Sequence, residues 1–94
     1  MNKIKVFRCV KMAIDKYDLD DLLKHDAPDD EYDTESEEIA LKITEESSVD
    51  EIVDVVSEVF KRCFNKDFPR EDIEKTAREI KRNLEHFSRI YKWT

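Results

Sequence analysis

Apolar residues return at three- and four-residue steps through most of this chain, the spacing that lines up side chains on one face of a helix. Ile4, Phe7, Val10, Ala13, Ile14 and Tyr17 follow that spacing and predict a first helix over about residues 2–17. Leu19, Leu22 and Leu23 then fall within residues 18–25, where Asp18 or Asp20 can cap one extra short helical turn. Ala27-Pro28 ends that turn, and residues 26–33 read as an exposed acidic loop pinned by Tyr32. Thr34 and Glu37 have capping-box spacing and open a second helix over about 34–46, with Ile39, Ala40 and Ile43 inward.

Ser48 and Glu51 repeat the capping device before a third helix, about 49–64. Its stripe of Val49, Ile52, Val53, Val56, Val59, Phe60 and Cys63 makes it the expected centre of the fold, while Asp50, Glu51, Asp54 and Glu58 fill the outer face. The valines lower helix propensity, but their spacing is helical, so packing overrides propensity. Asn65 is suited to the left-handed position after a helix, and Pro69 to a helix start. From there Ile73, Ala77, Ile80, Leu84, Phe87 and Tyr91 define a fourth helix, about 69–92. The expected fold is all-α: one domain over 1–94, a small antiparallel bundle of four main helices with one extra short turn.

Length agrees with a single core, since a chain of 94 residues buries only about 60–65% of its unfolded surface. Charged residues make up 44% of the chain and apolar ones 39%, so folding depends on how the apolar positions are patterned. The sequence contains no glycine. That excludes the usual phosphate loops, dinucleotide fingerprints and nucleophile elbows, which need glycine where backbone turns sharply or meets a ligand. No apolar run approaches the ~18–20 residues of a membrane span, and the first residues lack a signal-like apolar core. A cytoplasmic protein is therefore expected. Cys9 and Cys63 both lie on apolar helical faces, which favours core thiols over a disulfide.

Charge is divided by segment. Residues 1–14 hold four basic side chains and no acidic ones, residues 15–60 three basic and eighteen acidic, and residues 61–94 ten basic and six acidic. Twelve of the acids lie between 15 and 38. Part of this run is ordinary hydrated loop and acid at a helix start, where it suits the dipole. The functional alternative is an electronegative surface that steers a basic partner and repels nucleic acid. Lys75, Arg78, Lys81, Arg82, Arg89 and Lys92 on the last helix read as solvent-facing balance rather than an RNA site.

Other chemistry is thin. Asp29, Glu31, Asp33, Glu35 and Glu37 alternate as calcium-loop ligands do, but Thr34 stands where that loop needs glycine and Ala40 where it needs a bidentate Glu. His25 and His86 stand at no metal-ligand spacing from each other or from a cysteine. No base or oxyanion group accompanies either cysteine. No catalytic residue, metal or cofactor is expected, and the chain reads as a binding protein rather than an enzyme.

The stretches Tyr17-Asp18-Leu19 with Leu22-Leu23, Ala27-Pro28-Asp29-Asp30-Glu31-Tyr32-Asp33 and Glu37-Glu38-Ile39-Ala40 resemble a family of small bacterial helical proteins of unknown function. That family has a Trp-Asp-Pro start, a Gly-Ala-Pro turn and an Asp-Glu-Tyr-Asp loop. The resemblance covers about residues 13–84. This chain lacks the family's proline, and Asp26 replaces its glycine. No catalytic residues come with the resemblance. In size and acidity the chain is also similar to bacterial toxin immunity proteins.

These readings converge on an immunity or antitoxin-like protein that neutralises a basic toxin, such as an RNase of a contact-dependent growth inhibition system. The expected partner-binding residues are Asp29, Asp30, Glu31, Asp33, Glu35 and Glu38, with Tyr32 as an aromatic anchor. No direct nucleic-acid binding is expected, and the chain is read as a monomer or weak dimer. The competing expectation is a structural or regulatory helical module that self-associates through Phe87, Tyr91 and Trp93.

Overall fold

A computed structural model describes residues 2–18 and 32–92. Four helices occupy them: α1 (Lys3–Tyr17), α2 (Asp33–Lys42), α3 (Val49–Phe64) and α4 (Arg70–Lys92). No strand occurs among the described residues. The extra turn expected over residues 18–25 and the loop residues 26–31 lie outside the described residues, apart from Asp18.

Each helix start and stop has an identifiable cause. Asn2 accepts a hydrogen bond from the Lys5 N–H at 3.0 Å, so it caps α1 from outside rather than beginning it. Asp18 closes α1 in the left-handed conformation, φ 44°, its N–H donating to the Ile14 carbonyl. Ser48 and Glu51 form the expected capping box, at 3.2 and 3.3 Å. Asn65 ends α3 at φ 53°, the conformation that Asn tolerates better than most residues. Pro69 stands just outside α4, and its carbonyl accepts from the Asp72 and Ile73 amides.

The second helix departs from the expected 34–46. It begins at Asp33 behind Tyr32, with no side-chain cap, so the Thr34–Glu37 spacing is not used as a capping box. It stops at Lys42 because Thr44 and Ser47 hydrogen-bond nearby backbone instead: the Thr44 N–H donates to Ser47 Oγ and the Glu46 N–H to Thr44 Oγ1. Two lysines from other helices satisfy the carbonyls left open. Lys3 Nζ donates to the carbonyls of Ala40 and Ile43, and Lys81 Nζ to those of Glu45 and Ser47.

The helices form an antiparallel ring in which α1 packs on α2 and α4, and α3 on the same two. Lys3 meets the end of α2 while Lys11 meets its start at Asp33, so α1 and α2 run in opposite directions. Lys42–Glu58 and Glu38–Arg62 pairs show the same for α2 and α3. The core comprises Val6, Cys9, Val10, Ala13 and Ile14 of α1, Ile39, Ala40 and Ile43, Ile52, Val53, Val56, Val59 and Phe60 of α3, and Ile73, Ala77, Ile80 and Leu84 of α4.

Two expected core positions are corrected. The buried face of α1 is rotated, so that Val6 joins the expected Cys9 inside while Ile4 is 67% exposed. Apolar residues surround much of α1, and only packing against α2 and α4 together selects which of them is covered. Cys63 is exposed although it continues the α3 stripe. It sits in the last turn, where partial burial and then the charge of Glu35 and Glu38 raise its thiol pKa. Cys9 is buried, and desolvation pushes its thiol up to about 11.

Candidate functional site

The sequence groups the expected partner-binding residues into one acidic patch, and the structure draws the four that it describes, Tyr32, Asp33, Glu35 and Glu38, into internal contacts or burial. Asp29, Asp30 and Glu31 lie outside the described residues. Tyr32 is fully buried and is no surface anchor. Its ring stacks on Phe60 at 6.0 Å and meets Phe64 edge-on at 6.3 Å, and Phe68 completes the cluster against Phe60 at 5.5 Å. Its hydroxyl donates to Asp18 Oδ1 at 2.5 Å, and Asp18 is itself 5% exposed. A buried phenol requires such an acceptor, and a buried carboxylate requires donors. The Tyr32–Asp18 bond thus joins the two residues that flank segment 19–31.

The expected partner-binding acids of α2, Asp33, Glu35 and Glu38, are also engaged or covered. Asp33 accepts from Lys11 Nζ at 2.6 Å, and the same lysine pairs with Asp15 at 3.0 Å. Desolvation pulls Lys11 down, but hydrogen bonds and charge from Asp33 and Asp15 outweigh it and hold the ammonium above its usual range. Glu35 is buried, and its Oε2 has no hydrogen-bond partner among the described residues. Glu38 hydrogen-bonds to Arg62 and lies 3.9 Å from Lys42. A basic protein approaching α2 would have to displace these internal cations.

An open acidic surface does exist, one helix further on. Glu46, Asp50, Asp54 and Glu58 stand at four-residue intervals along the outer side of α3 and the turn before it, all exposed. Among the described residues only Glu58 meets a cation, Lys42 at 3.2 Å. Asp50 lies in the first turn of α3, where the helix dipole favours acid, but Asp54 and Glu58 lie beyond its reach. Residues 32–60 carry ten acidic side chains against Lys42 alone, and beyond them Arg62 feels the charge of Glu58 while Lys81 reaches the carbonyls of Glu45 and Ser47 on either side of Glu46. The stripe's signal in the sequence is four acids at i, i+4, i+8 and i+12. On a helix with one apolar face that pattern passes for the ordinary polar half.

Other chemistry is limited by the same geometry. Residues 33–40 are helical, so Asp33, Glu35 and Glu37 do not sit in a calcium loop. Among the described residues no three His, Cys, Asp or Glu side chains are placed to hold a metal ion. Both thiols are shifted toward the protonated form. Trp93, expected at a self-association seam, lies outside the described residues. No helix among the described residues is long and apolar enough to cross a membrane. In comparisons with protein-family models, curated proteins and solved structures, nothing matches the chain.

Proposed function

We propose that this chain is a cytoplasmic immunity or antitoxin-like protein, without catalytic activity of its own, that binds and neutralises a basic protein toxin. The toxin class that fits best is an RNase of a contact-dependent growth inhibition system. The observation that carries the reading is the exposed α3 stripe of Glu46, Asp50, Asp54 and Glu58, which is nearly free of internal cations. A nuclease presents lysines and arginines to bind phosphate, and a row of carboxylates at one-turn spacing can face that same surface. The resemblance in size and acidity to immunity proteins points the same way. The acids of segment 19–31 add to the field, while α2 serves as internal structure.

The test is association with a basic nuclease domain encoded beside this chain, followed by stopped flow at low and high salt. Glu46→Gln, Asp50→Asn, Asp54→Asn and Glu58→Gln together are expected to slow association about tenfold or more and flatten its salt dependence. An unaltered association rate would sink the assignment of this face.

A further inference from the structure

Among the described residues three large apolar side chains are exposed, Ile4, Met12 and Leu41, and two of them lie together. Ile4 and Leu41, 67% and 64% exposed, line an open cleft of about 280 Å³ between α1 and α2, with Phe7 and Ala40 at its floor and Lys3 and Glu37 at its rim. Exposed single leucines or isoleucines are ordinary, but two large ones flanking a groove from separate helices form a continuous patch.

The two walls of the groove carry opposite charge at its rim, Lys3 on α1 and Glu37 on α2, with Arg8 one turn beyond Ile4 on α1. Lys3 bonded to Ala40 and Ile43, and Lys11 bonded to Asp33, set the antiparallel register. That register puts Ile4 level with Leu41 and Arg8 level with Glu37. Arg8 and Glu37 are both exposed and enter no ion pair among the described residues, in contrast to Lys3, Lys11 and Asp33.

We propose that this groove is a self-association surface, taking the same face of a second copy across a two-fold axis parallel to the helices. Such an axis keeps every residue at its own height and lays α1 of one copy over α2 of the other. Ile4 and Phe7 then meet the partner copy's Leu41 level, and each Arg8 meets a Glu37, twice by symmetry. A surface that is complementary to itself in this way is what an isologous pair requires. The apolar patch is well short of the about 800 Å² per partner of a stable interface, so the pair is weak, with a Kd on the order of 100 μM. The α3 stripe is not part of this face, so pairing leaves it open.

Sedimentation velocity of the full chain up to about 1 mM tests this, a range in which a pair of that strength is largely associated. Arg8→Glu and Glu37→Arg, each alone, set like charges opposite one another and are expected to weaken pairing about tenfold. Mixed together, the two variants place an Arg opposite a Glu at both symmetric contacts, and the mixture is expected to associate at least as well as the parent chain. Both sites are exposed, and far-UV circular dichroism confirms that the variants fold. A parent chain that stays monomeric throughout overturns the proposal. So does pairing indifferent to Arg8→Glu, or a variant mixture that remains monomeric. Arg8→Glu leaves the charge of the α3 stripe unchanged, so toxin association and self-association fail independently.

Discussion

The outer faces of α3 and α4 meet the same structural demand in opposite ways. Both helices bury an apolar stripe against the same core. On α4, charges at helical spacing alternate in sign: Arg70 pairs with Glu74 at 3.2 Å, Lys75 with Glu71 at 3.5 Å, Arg78 with Glu74 at 3.7 Å and Arg82 with Glu79 at 3.3 Å. Each such pair adds a few tenths of a kcal/mol to the helix, so the surface of α4 is accounted for by its own stability. On α3, Asp50, Asp54 and Glu58 repeat one sign at the same spacing, which costs a similar amount per pair. Pairing within the helix thus accounts for the charges of α4, whereas on α3 the like charges add nothing to the helix, and the proposed toxin contact is what would use them.

The largest effect should come from the buried side of α3, where the two helices are alike. Phe60→Ala removes a ring packed between Tyr32, Phe64 and Phe68 and is expected to cost about 3–5 kcal/mol in urea unfolding. A loss below about 1 kcal/mol would mean that α3 is not the centre of the core. Next comes Tyr32→Phe, which keeps the ring against α3 but takes a donor from the buried Asp18 carboxylate. A loss of about 1–3 kcal/mol is expected, and wild-type stability would show that the bond is not holding the ends of segment 19–31 together.

The smallest effect discriminates best, because its sign differs between the helices. Asp54→Lys puts a cation between Asp50 and Glu58 and should stabilise the protein by about 0.5 kcal/mol. Glu74→Lys breaks the pairs with Arg70 and Arg78 and should destabilise it by about as much. Thermal unfolding of the two variants side by side measures this, and shifts of the same sign would erase the contrast.

Residues whose role is local are legible in the sequence itself. Ser48 and Glu51 cap α3 because the two side chains and the amides they satisfy lie within one turn. Asn65 stops α3 for an equally local reason. Thr34 and Glu37 show the limit of such reading. They have the same spacing, yet Tyr32 and Asp33 set the start of α2 through partners that are 14 and 22 residues away, Asp18 and Lys11. The part of the acidic patch that lies within the described residues is engaged by the fold for the same reason. Adjacency in sequence groups its side chains together, whereas burial of Tyr32 and Glu35 and pairing of Asp33 and Glu38 depend on α1 and α3.

Sequence alone determined that this is a four-helix, all-α chain, because a period of three to four residues and the absence of glycine leave little else for its apolar residues to build. Tertiary structure decided which face of each helix is covered and which acids remain free. Ile4 is outside and Val6 inside because α2 and α4 together, and not the apolar content of α1, choose the angle at which it docks. Glu38 is paired and Asp54 is not because a cation's reach of a few ångströms is measured through space, where Arg62 lies beside α2 and no basic side chain among the described residues pairs with the outer face of α3 at Asp54.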